Sequence, residues 1–173
     1  MNNLKHKNIT LIGMPGAGKS TLGVVLAKKI GYRFVDTDLL IQEGEGLLLS
    51  EIIEQRGVDG FIECENALLA GLQCERHVIA TGGSAVYGTE AVNNLRALGH
   101  IVFIDVSLET LKSRLRRNLL DRGVVIKRGR TLEDLYNERY PLYKAAADLS
   151  VQTDGLSTLE AVEVLAEAIR PLL

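Results

Sequence analysis

The run GMPGAGKS from Gly13 to Ser20 carries glycine, lysine and serine at the spacing G-x-x-x-x-G-K-[ST] of a phosphate cradle. Glycines let backbone N–H groups turn toward anionic oxygens, and a helix opening at the end of the loop adds its partial positive charge. Lys19 is then placed to reach the β- and γ-phosphates of ATP, and Ser20 offers the hydroxyl expected on the Mg²⁺ that bridges them. Gly13, Pro15, Gly16, Ala17, Gly18, Lys19, Ser20 and Thr21 are therefore the expected nucleotide contacts.

A phosphate cradle alone means nucleotide binding. The reaction class has to come from residues facing the terminal phosphate. Asp36-Thr37-Asp38 ends the second strand-like run. Two carboxylates two residues apart can divide the work, one polarising Mg²⁺-bound water and the other accepting a hydrogen bond or proton from an attacking hydroxyl. A solvated loop with Thr37 or Asp38 capping the next helix is the competing reading. Thr81-Gly82-Gly83-Ser84 follows the third such run, where paired glycines let backbone approach a ligand, or simply make a tight turn. Arg122, followed by Gly123, is a candidate for swinging over the triphosphate. Arg139, in ERYPLY, suits a bidentate grip on a carboxylate; the alternative is a surface ion pair with Glu138 or Asp134.

These groups need a scaffold that brings them to one edge. NITLIG (Asn8 to Gly13), YRFVD (Tyr32 to Asp36), HVIA (His77 to Ala80), HIVFID (His100 to Asp105) and Leu149 to Gln152 are short apolar or β-branched runs. Between and after them, Lys19 to Ile30, Ser50 to Arg56, Glu63 to Leu72, SLETLKSRL, Thr131 to Ala147 and Ser157 to Ile169 read as helices, with Pro141 expected to bend or end the fifth. Strands alternating with helices imply an α/β fold with a mainly parallel sheet covered on both faces, and ligands in such sheets bind outside the carboxyl ends of the strands. Arg116 to Arg130 (RRNLLDRGVVIKRGR) differs in texture: six of its fifteen residues are Lys or Arg, and it reads as a mobile basic lid.

The 173 residues, 46% apolar and 24% charged, suit one domain spanning 1–173. A formal charge of −2 gives no field favouring nucleic acid or an anionic membrane. Cys64 and Cys74 lack the companions of a zinc site or disulfide framework and read as buried small hydrophobes. No run approaches the ~20 apolar residues of a membrane span, and the N-terminus lacks a signal-peptide core, so a cytoplasmic monomer acting on a small molecule is expected.

GMPGAGKS, FVDTD, GFIECE, ATGGS, the Arg122 segment and ERYPLYKAAAD stand in the order and spacing of the shikimate kinase family, which the chain resembles over nearly its whole length. The resemblance implies a three-layer P-loop NTPase fold with a five-stranded parallel sheet, a lid near 116–130 and a substrate-binding helical region near 38–72. It also implies ATP-dependent phosphorylation of the 3-hydroxyl of shikimate. By position, Lys19 and Ser20 match the phosphate and Mg²⁺ contacts, Asp36 a metal-ordering acid, and Asp38 the acid on the acceptor hydroxyls. Gly82 and Gly83 match the substrate loop, Arg122 the lid arginine near ATP, and Arg139 the grip on the substrate carboxylate.

Three positions depart from the family pattern. The family's F-R-x-x-E becomes Phe61-Ile62-Glu63-Cys64-Glu65, its third loop glycine becomes Ser84, and Pro-Leu-Leu after the lid arginine becomes Gly123-Val124-Val125. Lys127, Arg128 and Arg130 are neighbouring bases and candidates to compensate, which spacing alone does not decide. A kinase of another hydroxylated metabolite, an ATP-binding regulatory module and a nucleoside-monophosphate kinase are the other readings; the DTD and TGG segments weigh against the last.

Overall fold

The computed structural model describes residues 7–115 and 129–173. Arg122, the Gly123-Val124-Val125 segment, Lys127, Arg128 and nearly all of the expected lid lie outside the described residues. The chain runs β1 (Asn8–Ile12), α1 (Lys19–Ile30), β2 (Arg33–Asp36), α2 (Thr37–Glu45), α3 (Leu49–Gly71), β3 (His77–Ala80) and α4 (Thr89–Leu98). It continues through β4 (Gly99–Asp105), α5 (Leu108–Leu115), α6 (Leu132–Ala146), β5 (Leu149–Gln152) and α7 (Thr158–Ile169).

The five strands form one sheet in the order β2-β3-β1-β4-β5, every pairing parallel. β1 lies at the centre with all five residues buried, as an apolar strand covered on both faces must. Asn8 opens it, and its side chain holds the amino end of the sheet: Nδ2 donates to the Cys74 and Leu98 carbonyls and Oδ1 accepts from the His77 amide. The connection after β1 leads to one side of it and the connection after β3 to the other. Such a reversal opens a crevice at the carboxyl ends of the strands.

Helices α1 and α7 pack on one another and on the sheet, while α4 and α6 lie against β4 and α3 packs along α4. Phe103, Ile9, Leu11 and Ile12 are among the fully buried side chains between these layers. Ile41, Ile52 and Phe61 make a separate small core between α2 and α3, so the helical excursion after β2 is stabilised by its own apolar contacts.

The two helices read between Ser50 and Leu72 are present as the two parts of α3, which breaks at Gly57, where the backbone is not helical (φ 71°, ψ 177°). The expected breaks resolve differently at two places. Pro141 does not end α6, which continues to Ala146 after a Thr131–Asp134 capping box. The segment 89–98, read as no element, is α4. Its Asn93-Asn94 pair weakens the helical pattern, but Asn94 donates to the Leu69 and Leu72 carbonyls and so satisfies the end of α3. Both cysteines are free and half-buried; burial pushes both thiols upward, which leaves them poor nucleophiles.

Candidate active site

Three strand ends supply the site. β1 leads into the phosphate loop, β2 ends at Asp36, and β3 ends beside Thr81 and Gly82. Gly18 occupies the N-cap of α1 and brings no side chain to it, so the first-turn N–H groups of α1 stay open to an anion. Lys19 is 7% exposed, and its ammonium donates to the carbonyls of Gly13 (2.8 Å) and Met14 (2.9 Å) at the root of the loop. Burial pulls its pKa down to about 8, with Asp38 acting in the opposite direction.

Asp36 is the N-cap of α2: its carboxylate accepts from the Asp38 amide at 3.0 Å. The cap is therefore Asp36, not Thr37 or Asp38, and this turn carries Asp38 into the crevice. Asp38 Oδ1 is buried without a hydrogen-bond partner. Burial pushes the Asp38 pKa up to about 6, Asp36 adds to the rise and Lys19 opposes it. A carboxylate so placed is a better proton acceptor than an ordinary aspartate.

Gly82 and Gly83 allow close packing of charged side chains. A Cβ on Gly82 would lie 2.3 Å from Glu65 Oε1 and 2.9 Å from Asp38 Oδ1; one on Gly83 would lie 2.9 Å from Arg139 Nη1. Any side chain at either position would drive apart the acids and the arginine that share this corner.

Glu65, on α3, was not among the residues the sequence suggested for the site. It is 1% exposed, its Oε2 accepts from Ser84 Oγ, and its Oε1 is unpartnered. Burial pushes its pKa up to about 7, with the Ser84 bond opposing and the Asp38 charge adding. The added hydroxyl of Ser84 is thus engaged within the protein. In the unfolded chain the group ionises near 4.5 and in the folded chain near 7, so ionising it costs stability above about 7 and that cost vanishes below about 4.5. Glu65→Gln is expected to remove this pH dependence and to raise the melting temperature near pH 8 by on the order of 5 °C. Thermal melts of both proteins across pH check this, and a variant melting below the parent at that pH would refute it.

Arg139 is 2% exposed, in a buried stripe of α6 with Leu135 and Tyr143. The stripe at i, i+4 turns it inward. The alternative surface pairs do not form: Asp134 caps its own helix, and Glu138 binds Tyr87 and Arg130. Tyr143 Oη donates to the Gly83 carbonyl and fixes the loop against α6.

Two cavities meet at the phosphate loop, sharing Gly16, Gly18 and Thr21. One, of about 650 Å³, holds Lys19, Asp38, Phe61, Gly82, Gly83 and Arg139 in its wall. The other, of about 490 Å³, lies toward Arg114, Leu156 and Ala161. Arg114 donates to the Gly16 and Ala17 carbonyls at 3.3 and 3.4 Å. A triphosphate lying along the loop would place a base in the smaller cavity and its terminal phosphate at the mouth of the larger. Sequence reasoning missed Arg114 because a cationic helix end ordinarily faces water.

Among the described residues, no cluster of three or more His, Cys, Asp or Glu could hold a metal alone. The exposed Ser20 hydroxyl and the half-buried Asp36 carboxylate are hard oxygen donors suited to Mg²⁺ that takes its remaining ligands from phosphate and water. No helix among the described residues is long and apolar enough to cross a membrane.

Comparison with known proteins points the same way. A family model described as Shikimate kinase matches residues 15–170. A shikimate kinase of Sulfurihydrogenibium sp. is 34% identical over 165 residues, covering 95% of this chain and 98% of the relative. One of Vibrio parahaemolyticus is 37% identical over 155 residues, covering 88% and 90%. The structure of shikimate kinase from Acinetobacter baumannii in complex with shikimate superposes with a TM-score of 0.85 at 29% identity, covering 94% of this chain and 92% of that one.

Proposed function

The chain belongs to the shikimate kinase family, and we propose that it transfers the γ-phosphoryl group of ATP to the 3-hydroxyl of shikimate. The observation that carries the assignment of acceptor is the larger cavity itself. It sets a proton-accepting carboxylate, Asp38, and a buried guanidinium, Arg139, in one wall beside Lys19. An acceptor with both a hydroxyl to activate and a carboxylate to hold matches that pair.

In the reaction, α1 and Lys19 hold the phosphates, and Arg139 grips the carboxylate so that the acceptor ring presents its hydroxyl to Asp38. The oxygen attacks the γ-phosphorus as the bond to the ADP oxygen breaks, and the hydroxyl proton passes to Asp38. Lys19, no longer committed to the Gly13 and Met14 carbonyls, stabilises the charge on the transferred oxygens. Mg²⁺ held by Ser20 and Asp36 neutralises phosphate charge when bound. Arg122 is the lid residue proposed to complete the cation shell. Both cavities are lined by residues of one chain, which supports a monomer, and an ATP-dependent reaction suits the cytoplasm.

Ile62 favours a second reading within the same chemistry, a hydroxylated acceptor with no carboxylate, because among the described residues the site has one buried arginine where the family pattern has two. Arg139→Ala separates the two. It is expected to raise the KM for shikimate about tenfold to a hundredfold, the worth of a charge-assisted hydrogen bond, with the KM for ATP unchanged. An unchanged KM for shikimate would favour the neutral acceptor.

A further inference from the structure

The transfer step uses the face of Arg139 that lines the acceptor cavity and leaves the contacts behind it unexplained. Its Nε donates to Tyr87 Oη at 2.9 Å, and its guanidinium carbon lies 5.1 Å from the Tyr87 ring centre. Tyr87 Oη in turn donates to Glu138 Oε1, and Glu138 Oε2 accepts from Arg130. The four groups form an unbroken run from the partly exposed Arg130 to the buried Arg139. They flank a separate cavity of about 400 Å³ beside Ile62, and Arg139 lies in the wall of both this cavity and the acceptor cavity.

The direction of each bond follows from the chemistry of the groups. An ionised carboxylate only accepts, so the Tyr87 hydroxyl must donate to Glu138, which leaves a lone pair on Tyr87 for the Nε–H of Arg139. The Tyr87 hydroxyl and, after it, Arg130 favour the ionised form of Glu138, and Arg130 holds the carboxylate in place. Guanidinium donors lie in one rigid plane, so fixing Nε fixes where the terminal nitrogens point. That aim decides how well a carboxylate can be gripped with both oxygens.

We infer that Tyr87 and Glu138 are positioning residues that hold Arg139 in the orientation needed to recognise an acceptor carboxylate, and so set the preference of this kinase for acidic over neutral acceptors. The inference rests on the reading above that Arg139 grips that carboxylate.

The test compares shikimate with its neutral primary carboxamide as acceptors at saturating MgATP, in the full-length protein and in Tyr87→Phe, Glu138→Leu and Glu138→Gln. Tyr87→Phe and Glu138→Leu are expected to raise the KM for shikimate about tenfold, with kcat, the KM for ATP and the KM for the amide within about twofold of the parent. The acid-over-amide preference then shrinks about tenfold. Glu138→Gln, whose amide oxygen still accepts from Tyr87, should recover most of it. Variants that keep the parent preference, or that lose activity equally with both acceptors, would overturn the inference while leaving the proposed function intact. A parent enzyme that turns over shikimate without preferring it to the amide would overturn the carboxylate grip and the inference together. One that phosphorylates neither would overturn the proposed function itself.

Discussion

Lys19→Met is expected to lower turnover on the order of a thousandfold while the protein stays folded, the scale seen when one preorganised donor to transition-state charge is removed. Lys19 is the buried cation at the root of the phosphate loop, where it donates to the Gly13 and Met14 carbonyls until a γ-phosphate takes their place. Its pKa, lowered to about 8 by burial, shows that keeping a charge there is costly to the fold. Methionine of similar length fills the space without that cost, so the melting temperature should match or exceed the parent's. Steady-state turnover with a parallel thermal melt checks this. Undiminished turnover would contradict the mechanism, and a collapsed melt would mean that Lys19 is needed to build the loop.

Asp38→Asn separates chemistry from binding. The amide retains the shape and the position at the start of α2 but is a poor proton acceptor, so kcat should fall about a hundredfold to ten-thousandfold. The KM for ATP should change little, because the loop and α1 hold the phosphates. The variant also removes a buried, partnerless carboxylate oxygen, so it should melt above the parent near neutral pH. Equal losses in turnover and ATP affinity would assign Asp38 to metal or nucleotide binding instead.

Much of this arrangement was legible in the residues. Strands and helices with strong local patterns have the expected limits: Lys19–Ile30, His77–Ala80 and Leu149–Gln152 agree residue for residue. The phosphate loop was readable because its chemistry demands a fixed spacing on one continuous stretch. Helix α4 was hidden because two asparagines interrupt its pattern, and the purpose of Asn94, closing the end of α3, exists only in the folded chain.

Within the site, residues drawn in by distant partners were the hard ones. Glu65 lies in FIECE, where a glutamate looks solvated; only the approach of the 81–84 loop buries it against Ser84 and Asp38. Tyr87 gave no signal of its own, since its role is set by Glu138 and Arg139 on α6. Arg139 was identified, and its inward direction follows from the stripe it shares with Leu135 and Tyr143.

Two of the departures from the family pattern, Ile62 and Ser84, bear on Glu65. Ile62 leaves Glu65 without the arginine that F-R-x-x-E would place three residues before it on the same helix, and Ser84 supplies Glu65 with a donor. Among the described residues, Arg139 and the groups behind it are then the ones left to hold the carboxylate of the proposed acceptor.

The most direct test of the account is a coupled ADP-release assay of the purified protein with MgATP and shikimate, run beside a panel of hydroxylated acids and neutral sugars. The account predicts turnover with shikimate at ordinary kinase rates, on the order of 1–100 per second, with the neutral compounds poor acceptors. Transfer to a neutral compound with none to shikimate would contradict it, and would mean that the corner around Ile62, Glu65 and Ser84 has been rebuilt for a different acceptor.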